Sequence, residues 1–159
     1  MHIQIVCVGK IKEKYLADGI AEFTKRLTPF CRLIITELGE EKMPDNPSPA
    51  EKEKTISKEG ERIIKALRPA SYVIVLDVVG QALSSEALAH KFSELALTGK
   101  SELTFVIGGA FGLSDAVRRA ADERISFSKM TFTHQMIRLL LVEQVYRAYK
   151  INRGEPYHL

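Results

Sequence analysis

The 159-residue sequence has no tryptophan, only two cysteines, and no hydrophobic run approaching the ~20 residues needed to cross a bilayer. Two cysteines are too few for a disulfide-stapled scaffold, and neither Cys7 nor Cys31 has a Cys or His neighbour at metal-ligand spacing. They read as thiols filling core space in a reducing compartment rather than as a redox pair or a metal centre. A secretory leader is also missing: the first basic residue of the chain, Lys10, comes after the opening apolar stretch instead of before it. These absences predict a folded cytoplasmic protein with no membrane partner. A strong charge imbalance is lacking too, since 23 Lys/Arg face 20 Asp/Glu. What imbalance exists is local. Residues 1–117 carry 15 basic and 16 acidic side chains, whereas residues 118–159 carry 8 and 4. A basic C-terminal quarter on a neutral body fits either a polyanionic substrate or a solvated helix face.

What is present is alternation. Ile3–Val8, Arg32–Leu38, Tyr72–Leu76, Leu103–Ile107 and Arg124–Phe127 read as strands, and several are continuous in their hydrophobicity, as doubly covered parallel strands are. Between them lie helical stripes: Leu16, Ile20, Phe23 and Leu27, then a segment opened by the capping box Ser48-Pro49-Ala50-Glu51, then one after Ser84 and a short one from Ser114. Gly60 casts doubt on the regularity of the second helix. The last helix, about His134 to Asn152, is apolar around nearly its whole circumference, so it must be buried on two sides, inside the chain or between subunits. The βαβαβαβαβα order predicts a single α/β domain with a mostly parallel five- to six-stranded sheet and helices on both faces.

Ligands in such sheets bind beyond the carboxyl ends of the strands. Three ends attract attention here, after Leu76, Ile107 and Phe127. The second runs into Gly108-Gly109-Ala110-Phe111-Gly112, where glycines let backbone amides approach a ligand. This is neither the spacing nor the position of a dinucleotide-binding fingerprint, and no triphosphate-binding G-x-x-x-x-G-K-[ST] occurs. The third end, Ser126 to Gln135, offers hydroxyls, Lys129 and two aromatics; His134 in it reads as a cap or, less simply, a catalyst. On the last helix Glu143, Arg147 and Lys150 share a face, either as a structural pair beside a dimer contact or as an Arg presented to phosphate or base. The closing Pro156-Tyr157-His158-Leu159 is stiffer and more aromatic than a frayed end requires, and could stack on a base and shuttle a proton.

Four ordered motifs together resemble one family. They are Ile5-Val6-Cys7-Val8-Gly9-Lys10, Val106-Ile107-Gly108-Gly109 with Gly112-Leu113, Ser126 to Phe132 with His134-Gln135, and Glu143 to Ala148 with the Pro156-Tyr157-His158 tail. The sequence is similar to the RlmH family, SPOUT-class methyltransferases acting on a pseudouridine of large-subunit ribosomal RNA. That resemblance implies a C-terminal trefoil knot, S-adenosylmethionine as cofactor, a homodimer with the final helix at the interface, and assembled ribosomes as substrate. It implies cofactor contacts at Leu76, Gly108, Phe127, Ser128, Lys129, Met130, Thr131 and Phe132. Arg147, Tyr157 and His158 become the catalytic candidates for methylating the N3 nitrogen, with no metal needed. Two alternatives stand beside it: a dinucleotide-binding oxidoreductase, and a non-catalytic ribosome-associated α/β protein.

Overall fold

The computed structural model describes residues 1–158; Leu159 lies outside the described residues. Five strands, β1 (His2–Val8), β2 (Arg32–Leu38), β3 (Tyr72–Ala82), β4 (Glu102–Ile107) and β5 (Glu123–Ser126), alternate with five helices. The helices are α1 (Lys14–Leu27), α2 (Pro49–Ala66), α3 (Ser85–Leu97), α4 (Asp115–Ala120) and α5 (His134–Asn152). All strand pairings are parallel, in the order β2-β1-β4-β3-β5.

The period-two geometry of strands sorts the continuous apolar runs onto two faces. Ile3, Ile5, Cys7, Phe105, Ile107, Ile74 and Ile125 face α1, α3 and α5. Val6, Val8, Val73, Val75 and Val106 face α2 and α4, meeting Ile63, Leu113 and Val117. Cys7 is fully buried, and desolvation pushes its thiol up to about 11, so it packs as an inert side chain.

Two helices have features that the sequence left open. Ser48 and Glu51 complete their reciprocal capping box, and α2 passes Gly60 without a break. A side chain at Gly60 would run into Ser114, so the glycine serves the close approach of α2 to α4. In α5 only the final residue is exposed, and the helix lies between α1 and α3. Its apolar circumference is therefore largely explained within one chain. Gly19 of α1 makes room for Leu139, and Tyr149 stacks on Phe30 at 5.6 Å between ring centroids. Arg138 is 1% exposed; it donates to the carbonyl of Gly9 at 3.0 Å and to Glu37 Oε2 at 2.7 Å. This buried guanidinium fastens α5 to the carboxyl ends of β1 and β2.

β3 departs from its expected end at Leu76. Leu76 and Gln81 both pair with Ile125, so residues 77–80 bulge out of the ladder. A Cβ at Gly80 would lie 2.7–2.8 Å from the β5 backbone, which is why glycine stands where the bulge returns to the sheet.

Candidate cofactor cavity and C-terminal cluster

The carboxyl ends of β3, β4 and β5 open into one cavity of about 750 Å³. Each wall is set by local chemistry. The β3 bulge brings Leu76, Asp77 and Val78 to the rim. In the turn after β4, Gly112 takes φ +95° and donates its N–H to the Gly109 carbonyl at 3.1 Å. A Cβ on Gly108 would meet the Gly112 carbonyl oxygen at 2.9 Å, so this position needs glycine for the loop to close. After β5, Ser126 Oγ donates to the Ser128 carbonyl, and Ser128 Oγ accepts from the Met130 N–H. Thr133 caps α5 by accepting from the Met136 N–H at 3.1 Å.

Of the eight cofactor contacts expected from the sequence, Leu76, Gly108, Phe127, Ser128, Met130, Thr131 and Phe132 line this cavity. Lys129 does not; it is exposed. Phe111 also points elsewhere, with Lys52 Nζ 5.6 Å from its ring centre. His134 is not the cap of its helix. It lines the cavity with Nε2 buried and unbonded, and burial lowers its imidazole below the usual value. Glu13, Tyr15 and Leu16 at the start of α1 also reach the cavity, held nearby by a hydrogen bond from the Lys12 N–H to Gln135 Oε1. Local sequence gave no sign of them, because only the fold brings the β1–α1 connection beside the start of α5.

Arg147, Tyr157 and His158 come together, but around Glu143 and away from the cavity. Glu143 Oε1 accepts from Arg147 Nε at 3.1 Å and from the Tyr157 hydroxyl at 2.9 Å. The Arg147 guanidinium lies 4.9 Å from the Tyr157 ring centre, and its Nη1 is 3.0 Å from His158 Nδ1. His158 Nε2 is 2.7 Å from Glu86 Oε1 on α3. Since arginine can only donate, these partners assign His158 a tautomer with Nδ1 accepting and the Nε2 proton on Glu86. Hydrogen bonding to Glu143 raises the Arg147 pKa, fixing its charge. Burial, and then the bond to Glu143, raises the Tyr157 phenol, keeping it a donor at neutral pH. Lys150 turns away from this group and pairs with Glu155. A smaller cleft of about 210 Å³ between α3 and α5 shares Phe127 and Phe132 with the main cavity.

A parallel α/β sheet with a glycine-lined cavity at three adjacent strand ends is the architecture of a nucleotide- or cofactor-dependent enzyme. Comparison narrows this. The family described as "Predicted SPOUT methyltransferase" matches residues 1–158, and the chain belongs to it. Relatives named "Ribosomal RNA large subunit methyltransferase H" come from Carboxydothermus hydrogenoformans, 57% identical, and Clostridioides difficile, 58% identical. A "Putative ribosomal RNA large subunit methyltransferase H" from Methanococcus maripaludis is 50% identical; each alignment covers 99% of both sequences. Among the described residues, no helix is long and apolar enough to cross a membrane.

Proposed function

We propose that this protein transfers a methyl group from S-adenosylmethionine to ribosomal RNA of the large subunit, at the N3 nitrogen of a pseudouridine. The observation that carries the cofactor assignment is the cavity itself. It has room for a nucleoside-sized ligand, and part of its wall is a turn that closes only because Gly108 has no side chain to meet Gly112 and Leu113. Leu76, Gly108, Phe127, Ser128, Met130, Thr131 and Phe132 would hold the cofactor. When bound, its sulfonium supplies an electrophilic methyl group with a ready leaving group.

The chain's own part is positioning and charge. N3 carries an imide proton that must leave before or during attack. Arg147, locked by Glu143, supplies a permanent cation for the developing anion or for an RNA phosphate. Tyr157 donates, so its role is to orient the base. His158 accepts the proton, once Nδ1 is released from Arg147.

This chemistry requires two copies of the chain. Ten residues of α5, about 15 Å of helix, separate Ile137 at the cavity wall from Arg147. Neither Arg147, Tyr157 nor His158 lines the cavity of its own chain. We infer a homodimer in which the cluster of one subunit faces the cavity of the other. The family's trefoil knot belongs to the same reading.

The test is calorimetric titration with S-adenosylmethionine against NADH, followed by labelled-methyl transfer to ribosomes. Saturable binding of the first ligand alone and label in large-subunit RNA are expected. Binding of NADH instead would return the Gly108–Gly112 loop to dinucleotide duty and overturn the reading.

A further inference from the structure

The residues lining the cavity include one fixed cation, Arg118, on the helix that follows the glycine turn. Its Nε donates to Asp77 Oδ2 at 2.8 Å, and the Asp77 side chain, also lining the cavity, is only 8% exposed. The two side chains meet through that single bond. The remaining Asp77 oxygen accepts only from the Val79 N–H, at a long 3.4 Å. Arg118 Nη1 reaches the exposed Asp115 at 3.3 Å, and Nη2 has no partner among the described residues. A positive and a negative group thus stand side by side on the cavity wall, each oriented by the other and each with capacity left. Asp77 directly follows Leu76, and Arg118 follows the glycine turn, so the pair borders the expected cofactor contacts on two sides.

We propose that Asp77 and Arg118 form the subsite for the amino-acid end of the cofactor, Arg118 taking its α-carboxylate and Asp77 its α-ammonium. This assignment rests on the cofactor reading above. Glu13, Tyr15 and His134 are the other titratable side chains of the lining; none is a fixed cation, so the carboxylate has one such side-chain partner to find. Arg118 suits it because a guanidinium is a fixed, planar donor group; Nε is taken by Asp77 and Nη1 only by a 3.3 Å contact to the exposed Asp115, which leaves Nη2 without a partner among the described residues. The chemistry explains why an ion pair occupies the cavity at all. Bound ligand extends a salt bridge into a four-group network, and ligands lacking the zwitterion leave it unextended.

The experiment is a cycle in which ligand and protein are altered together. Calorimetry measures S-adenosylmethionine, its decarboxylated analogue and 5′-methylthioadenosine on the full chain and on Arg118→Gln and Asp77→Asn. The full chain should bind the decarboxylated analogue about tenfold more weakly than the complete cofactor, as loss of a charged hydrogen bond requires. In Arg118→Gln that difference should vanish, while methylthioadenosine, which lacks both charged groups, binds all three proteins alike. Asp77→Asn should weaken both ligands that carry the ammonium. If Arg118→Gln still discriminates against the decarboxylated analogue, the subsite is elsewhere. If methylthioadenosine weakens as much as the cofactor, the pair only shapes the cavity. If the full chain binds none of the three, the cofactor reading itself fails and takes the subsite with it.

Discussion

Glu143 and Tyr157 are joined by a 2.9 Å hydrogen bond that folds the C-terminal tail back onto α5. The same carboxylate oxygen holds Arg147, so the tail and the guanidinium share one anchor. Glu143→Ala should release both at once. Cofactor affinity should stay within about twofold of wild type while methyl transfer to ribosomes falls by about 100-fold, the scale of losing a positioned charge. Calorimetry and a labelled-methyl assay on the same preparation would separate the two effects.

Arg147→Ala removes the cation itself. Transfer should fall about 100- to 1,000-fold with cofactor binding retained. Removing Tyr157 and His158 should act in the same direction; full activity in that truncation would end the tail's catalytic assignment.

Gly108→Val places a side chain against the Gly112 carbonyl and against Leu113, 2.8 Å from its Cδ2. Cofactor binding should be lost, with far-ultraviolet circular dichroism unchanged. Mixing this variant with Arg147→Ala tests the shared site. In a mixed dimer, the intact cavity of the second variant can meet the intact Arg147 of the first. Co-refolding the two inactive proteins should restore a measurable fraction of activity; none would return if each chain were catalytically self-contained.

Arg138→Ala leaves the carbonyl of Gly9 and Glu37 without their donor and opens a cavity in the α5 packing. A destabilisation of about 3 kcal/mol is expected in urea titration, since a buried charge partner is removed.

His134 gives a pH dependence of definite sign. Burial holds its imidazole below the ordinary 6.5. Above that value folded and unfolded chains both carry it neutral, so it contributes nothing. As pH falls through 6.5, the unfolded chain takes up a proton that the folded chain refuses, and stability declines until the lowered pKa is reached. His134→Asn should flatten that part of a melting-temperature profile.

Much of this was legible in the sequence because strand and helix periods were clean. Each of the five strands and five helices falls on the segment that alternation and capping marked, down to the Ser48–Glu51 box, although β3 runs on past Leu76 to Ala82 and β5 spans Glu123–Ser126 rather than Arg124–Phe127. The strand order was not legible: β4 sits between β1 and β3, and no local pattern encodes which of several apolar strands becomes central. The 77–80 bulge was equally hidden, since Val78 and Val79 look like strand residues yet are exposed. Of the eight cofactor contacts expected from the motifs, all but Lys129 line the cavity. Asp77, Arg118 and Tyr15 were missed because their proximity depends on the fold bringing separate loops together.

The position of α5 has a consequence for biosynthesis. This helix fills the groove between α1 and α3, yet it follows both of them in the chain. Until it emerges, the face carrying Ile3, Ile5 and Phe105 lacks its central cover. Once α3 and β4 have been made, the nascent chain therefore carries an open hydrophobic trough until α5 follows. A protein whose relatives are named for methylating ribosomal RNA must wait for the ribosome to deliver α5 before it can close its own core.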